Sequence, residues 1–341
     1  MAQHVIILDG GTGRELKAIG APFRQPEWSA AALIDNDGPP FVTRVHERFA
    51  DAGAEVITTN SYALVPFHIG EARWRARGSE LATLAGALAR RVAAARPGLR
   101  VAGCLPPVCG SYRADLFDAN VAAPVLTELV RSLAPFVDFY LAETLSSIAE
   151  VQQVHDVLAA ERAAAVDLGG PTPPSELWVS FTIDDEGVDS TTLAEGNAQQ
   201  QPAPLSPRLR SGEGIADAVA AALQCGASAV LFNCSQPEVM SAAVTVAVAT
   251  VRGAGSTAHV GVYANAFPPQ RASTATANET IFTTREDITP IAYANFARDW
   301  VRHGATIVGG CCGIGAEHIA ALRDAKLDSL LSASIIPHHA A

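Results

Sequence analysis

A closed (β/α)8 barrel of the TIM type, built as a single domain, is the fold this sequence predicts, and three observations carry it. Short apolar runs alternate eight times with Ala/Leu/Val-rich segments of helical period, the pattern of a parallel sheet covered by helices. Nearly every run ends, at its C-terminal side, in residues that are poor core fillers, and in a barrel those ends share one face. At 341 residues and 49% apolar, the chain can bury the core of one such barrel.

The strand positions are Val5–Leu8, Glu55–Thr58, Arg100–Cys104, Val137–Ala142, Trp178–Phe181, Ala229–Phe232, Val260–Tyr263 and Thr306–Val308. Each is short and rich in residues that suit a strand buried on both faces. Between them the helical period marks Pro40–Ala52, Gly78–Ala95, Pro124–Ala134 and Ile148–Ala163, then Gly214–Cys225, Gln236–Val251, Thr289–His303 and Ala316–Ala325. No Gly-x-Gly-x-x-Gly follows the first strand, so the dinucleotide fingerprint is missing. The barrel is expected over residues 1–327, with a Gln/Pro/Ser/Gly-rich loop insertion at about 195–214 and a loosely attached tail over 328–341. That insertion reads as a surface loop or as a lid over the site.

Charge narrows the partners. Twenty-four basic and 35 acidic residues give −11, which argues against nucleic acid or an anionic membrane as partner. The longest apolar stretches, such as Ala242 to Val251, are too short to span a bilayer, and no basic-plus-apolar leader opens the chain. A cytoplasmic enzyme is the expectation, and a homo-oligomer is compatible with it. Lysine is confined to Lys17 and Lys326, neither at a strand end, which removes Schiff-base chemistry. The nine histidines form no metal-binding pattern.

The strand ends carry the chemistry. Strand 1 leads into Asp9-Gly10-Gly11-Thr12-Gly13, strand 2 into Thr59-Asn60-Ser61-Tyr62, and strand 4 into Glu143-Thr144. Strand 6 ends in Asn233-Cys234, and strand 8 runs into Gly309-Gly310-Cys311-Cys312-Gly313. Three thiols at the ends of two buried strands can converge, and three thiolates make a soft site suited to Zn²⁺. With three protein ligands the fourth position stays open, as in catalytic zinc sites. The alternative is that these are inert buried cysteines. Cys104 and Cys109 read as a core and a loop cysteine, with a zinc-independent thiol pair as the other reading.

These residues resemble the homocysteine S-methyltransferase family from Asp9 to about Leu322. The likeness rests on Asp9-Gly10-Gly11-Thr12-Gly13-Arg14-Glu15-Leu16, on Ala52 to Tyr62, on Val179-Ser180-Phe181-Thr182 and on Phe232-Asn233-Cys234-Ser235. It closes with Gly304 to Gly313, including the double cysteine, and with His318-Ile319. The resemblance implies a zinc-dependent barrel that methylates the sulfur of homocysteine to give methionine. It further implies Cys234, Cys311 and Cys312 as metal ligands, and Asp9 and Glu143 as anchors of the substrate ammonium. The Gly10-Gly11 turn then faces the carboxylate, and Asn60 completes the substrate-binding set.

A free thiol is only a few per cent ionised at neutral pH, and coordination to Zn²⁺ removes its proton. The remaining step is a displacement at a methyl carbon, for which positioning is most of what a protein supplies. One barrel fills the chain and leaves no room for a folate domain. A sulfonium donor, S-methylmethionine ahead of S-adenosylmethionine, is therefore expected before betaine or methyltetrahydrofolate. Tyr62, Tyr112 and Phe267 are candidates to hold such a cation. The loop Pro106 to Arg113 and the insertion depart from the family pattern and flank the expected donor entrance. Two other readings are an acceptor that is another small thiol or a selenol, and a non-catalytic zinc- or homocysteine-binding protein.

Overall fold

The computed structural model describes residues 4–168, 172–186, 206–268 and 283–331. Within them eight strands form one sheet: β1 (Ile6–Ile7), β2 (Val56–Thr58), β3 (Arg100–Leu105), β4 (Phe139–Leu145), β5 (Leu177–Phe181), β6 (Ala229–Asn233), β7 (His259–Tyr263) and β8 (Ile307–Val308). Their order is β1-β8-β7-β6-β5-β4-β3-β2, and every pairing is parallel. The ring closes where Leu8 bridges Val56. There Asp9 N–H donates to Val56 O at 3.0 Å and Glu55 N–H to Ile7 O at 2.7 Å. All eight expected strands are present, and the fold is a (β/α)8 barrel.

The helices are α1 (Thr12–Ala18), α2 (Ala31–Ile34), α3 (Pro39–Ala52), α4 (Pro66–Ile69), α5 (Glu71–Ala94), α6 (Ala119–Leu133), α7 (Ile148–Leu168), α8 (Ile215–Gln224), α9 (Pro237–Gly253), α10 (Pro290–Arg302), α11 (Ala316–Asp324) and α12 (Asp328–Leu331). The eight long ones match the sequence expectation, with shifted ends. Helix α6 starts at Ala119 rather than Pro124, because the Asp118 side chain caps it by accepting from Asn120 N–H at 2.8 Å. The short α1, α2, α4 and α12 escaped the sequence reading, since one or two turns show no period.

The period-two alternation of a strand sorts its residues between two cores. One set, including Ile57, Val101, Val179, Val230, Val262 and Val308, packs outward under the helices. The other, Leu8, Val56, Ala102, Phe139, Leu141, Trp178, Ala229, Leu231, Tyr263 and Ile307, fills the barrel. Extending the inner set toward the C-terminal ends reaches Cys104, Glu143, Ser180 and Asn233. The top of the interior is thus polar, whereas lower down Phe139 and Trp178 pack with ring centroids 4.3 Å apart.

Two boundaries need correction. The tail does not begin at Asp328: that carboxylate accepts Val5 N–H at 2.8 Å and contacts the His4 ring at 3.1 Å, while Leu331 is buried. Residues 332–341 lie outside the described residues, as does 187–205, most of the expected insertion. The end of that insertion is not a loose loop. Leu209 is fully buried and bridges Ile183, and Arg210 pairs with Asp185 at 2.9 Å with both side chains buried. An isolated buried charge is costly, so the pair fixes this segment to the barrel rim.

Candidate active site and thiol cluster

At the C-terminal ends of the strands lies a cavity of about 130 Å³. Asp9, Gly10, Gly11, Asn60, Glu143, Cys234, Cys311 and Cys312 all line it, so every residue singled out for substrate or metal reaches one space. The sulfurs of the three cysteines lie within 4.8 Å of one another, a group that could hold a metal ion. Cys234 and Cys311 are paired as a disulfide with Cα atoms 5.8 Å apart, and Cys312 is a free thiol. Burial pushes the Cys312 thiol up to about 11; the Arg14 guanidinium opposes the rise and Glu143 adds to it.

Backbone close packing explains the glycines around this cluster. A side chain at Gly309 would meet Leu8 Cβ at 2.5 Å, and one at Gly11 would meet the Cys311 carbonyl carbon at 2.9 Å. Glycine is the residue that lets two chain segments approach so closely. Gly310 N–H donates to Asp9 O and Gly11 N–H to Ile314 O, both at 2.9 Å. The Gly11 amide is therefore engaged within the fold, and the expected glycine contact to a substrate carboxylate loses that donor.

The two carboxylates come from the ends of β1 and β4, which β2 and β3 separate around the barrel. Asp9 is held by Thr58, whose N–H donates to Oδ2 at 2.7 Å and whose hydroxyl donates to Oδ1 at 3.1 Å. Burial nevertheless raises its carboxyl from an ordinary 3.8 to about 8, and the nearby Glu143 contributes to the rise. Glu143 is also raised by burial, against hydrogen bonds from the Cys104 thiol and the Tyr263 hydroxyl. The Tyr263 contact is 3.3 Å. Cys104 is the fully buried core cysteine the sequence suggested, and its thiol neighbours Glu143. The Cys109 thiol instead lies 3.9 Å from Asp118 O, and both remain free.

Backbone strain is concentrated here. Trp28 (φ 50°), Tyr112 (φ 65°), Thr144 (φ 65°) and Cys234 (φ 49°) all line the cavity in the left-handed region. Non-glycine residues rarely hold that conformation unless their surroundings enforce it. At Thr144 the enforcing group is the Asn233 amide. Its Oδ1 accepts Thr144 N–H at 3.1 Å and the Ser180 hydroxyl at 2.8 Å. Its Nδ2 donates to Thr144 Oγ1 at 2.9 Å and lies 4.0 Å from Cys311 Sγ.

Two of the three rings expected to face a cationic ligand already carry a cation. Arg210 stacks over Tyr112 at 4.7 Å and Arg14 over Phe267 at 5.0 Å. Tyr62 carries none among the described residues; its hydroxyl bonds Ser111 Oγ at 2.6 Å. Asn60 donates from Nδ2 to Ser29 O at 3.0 Å, fixing the loop that carries Trp28. Sequence reasoning missed Arg14, Trp28 and Tyr263 as cavity residues. Tyr263 was within reach, since it is inward by strand period; Trp28 sits on an aperiodic loop that gives no such signal.

The homocysteine S-methyltransferase family profile matches residues 6–326. The chain is similar to an Escherichia coli homocysteine S-methyltransferase, 26% identical over 94% of this chain and 95% of the relative. A Brassica oleracea selenocysteine Se-methyltransferase is also 26% identical, over 98% of this chain and 92% of its own. Among solved structures, the metallated form of the E. coli homocysteine methyltransferase MmuM superposes with a TM-score of 0.66 at 24% identity, covering 94% of this chain and 96% of that one. The same enzyme in an oxidized form also gives 0.66.

Proposed function

This chain belongs to the homocysteine S-methyltransferase family and is an enzyme of methyl transfer to homocysteine; from that premise we propose the roles of its residues and the class of its donor. Once an external dithiol reduces the Cys234–Cys311 disulfide by two electrons, Cys234, Cys311 and Cys312, as thiolates, would hold a zinc ion at the cavity wall. Three clustered sulfurs are the donor set of a soft tetrahedral site with one open position. Zinc bound there supplies the Lewis acidity that keeps the substrate thiol ionised at neutral pH.

Asp9 and Glu143 receive the substrate ammonium. Both carboxyls are held toward their neutral form by burial, and a cation between them restores the charged form. The one guanidinium among the cavity-lining residues, Arg14, then faces the substrate carboxylate. A donor stands against Trp28 and Tyr62, two of the cavity rings that stack no arginine among the described residues. A sulfonium donor suits this arrangement: its methyl passes to the thiolate sulfur, the old carbon–sulfur bond breaks, and a neutral thioether leaves. That step needs no general acid, and His68, the one cavity histidine, is kept neutral by burial, which lowers it to about 4.

The observation that carries the reading is the meeting of three sulfurs and two buried carboxylates in one cavity. The test is methionine formation from homocysteine with S-methylmethionine, S-adenosylmethionine, betaine and methyltetrahydrofolate in turn, with one zinc per chain measured alongside. Turnover with a sulfonium, and loss of zinc in the Cys311→Ala/Cys312→Ala variant, is expected. Turnover with methyltetrahydrofolate alone, or stoichiometric zinc retained in that variant, would overturn the reading. Selenocysteine belongs in the same assay as an alternative acceptor, because a relative of equal identity is named for that activity.

A further inference from the structure

We propose that Asn233 is a positioning residue that couples the thiol cluster to the ammonium anchor, by pinning a β-bulge that aims Glu143. The pairing of β4 with β5 slips near its end. Ala142 pairs with Val179, yet Leu145 pairs with Phe181, so Glu143 and Thr144 together oppose Ser180. A two-against-one bulge bends its strand and re-aims the side chains on it. The bulge places Thr144 at φ 65°, where glycine is the usual occupant.

Asn233 bonds both sides of that slip. Its Oδ1 takes the Thr144 N–H that the bulge withdraws from the ladder, and also the Ser180 hydroxyl across from it. Accepting a backbone N–H fixes which end of the amide is oxygen, so Nδ2 must point to Thr144 Oγ1 and toward Cys311 Sγ. Asn233 is fully buried, and the next residue is the strained Cys234. One amide thus joins the strand that carries Glu143 to two of the three sulfurs. The sulfur that reacts and the ammonium that orients the substrate lie at opposite ends of one small amino acid. Their spacing is set by this bridge.

The proposal rests on Glu143 receiving the ammonium, and the test separates the two ideas. L-2-Aminobutyrate, which has the ammonium and carboxylate but no sulfur, is titrated into zinc-free protein by calorimetry. Glu143→Gln should weaken it by about 10-fold or more, from the loss of a charge-assisted bond; unchanged binding would defeat the ammonium reading itself. Asn233→Ala should weaken it about 10-fold, and adding Thr144→Gly should restore most of the loss, because glycine holds φ 65° unaided.

The sulfur side is read in the cobalt-substituted protein. The thiolate-to-metal absorption should move to lower energy in Asn233→Ala and stay moved in the double variant. Normal aminobutyrate binding by Asn233→Ala when Glu143→Gln binds weakly, or no recovery in a folded double variant, would overturn the positioning role. Should Asn233→Ala fail to fold, Asn233→Asp carries the test. It keeps the acceptor for Thr144 and loses the donor. Binding within about 3-fold of wild type together with a shifted cobalt band supports the bridge, and an unshifted band refutes it.

Discussion

The buried carboxyl of Asp9 lowers the stability of the protein as pH rises. Its carboxyl is raised to about 8 in the fold, against 3.8 when free. Above pH 4 the unfolded chain releases a proton that the folded chain keeps, so stability falls as pH rises from about 4 to about 8 and then levels off. Asp9→Asn keeps both Thr58 contacts, since an amide oxygen can face the N–H and an amide nitrogen can face the hydroxyl. The variant should melt a few degrees higher at pH 8, with little gain at pH 5, and should bind homocysteine poorly. Scanning calorimetry at the two pH values checks the sign. Much of this scale was legible in the chain, because residues just past a barrel strand converge in space. Arg14 was not, since it lies in the first turn of α1, a helix too short to announce itself.

Helix α3 contains an unusual core residue. His46 is fully buried, neither ring nitrogen has a hydrogen-bond partner among the described residues, and burial lowers it to about 4. The fold holds it neutral while the unfolded chain binds a proton below about 6.5. Stability is therefore full above 6.5 and is lost as pH falls toward 4. His46→Leu removes two unpaired polar atoms and should stabilise by about 1–3 kcal/mol, more at pH 5 than at pH 7. Urea unfolding at both pH values measures it; equal gains would show that protonation has no part. Element ends were the least legible feature. The sequence stops β4 at Ala142, short of the bulge, because a two-against-one pairing is a property of two strands and leaves no mark on one. Capping at Asp118 likewise needed the fold to choose among several polar residues.

At the scale of the whole barrel, the eight-fold alternation was sufficient to specify the architecture, since strand and helix periods differ throughout. How its ends are secured was not legible, because it depends on contacts across the full length of the chain. Asp328 takes the Val5 N–H and the His4 ring, and His4 reaches Glu55 at 2.7 Å. Ending the chain at Leu327 strips that partner from the residues leading into β1 and removes the buried Leu331. The shortened protein should lose about 1–3 kcal/mol and melt several degrees lower than the full chain. An unchanged melting temperature would mean that α12 is ornamental. Among the described residues, no helix is long and apolar enough to cross a membrane.

The glycine contacts between the first and last strands also have a consequence in time. Along the chain Asp9 and Glu143 come first, Cys234 follows, and Cys311 and Cys312 come later still. Until β8 slides between β1 and β7, the cavity has no floor for its sulfurs, and Gly310 cannot meet Asp9. Domains fold as units during translation, and here the unit is incomplete until its last strand arrives. A chain that ends before β8 therefore lacks two of the three clustered sulfurs, and the cavity wall they form.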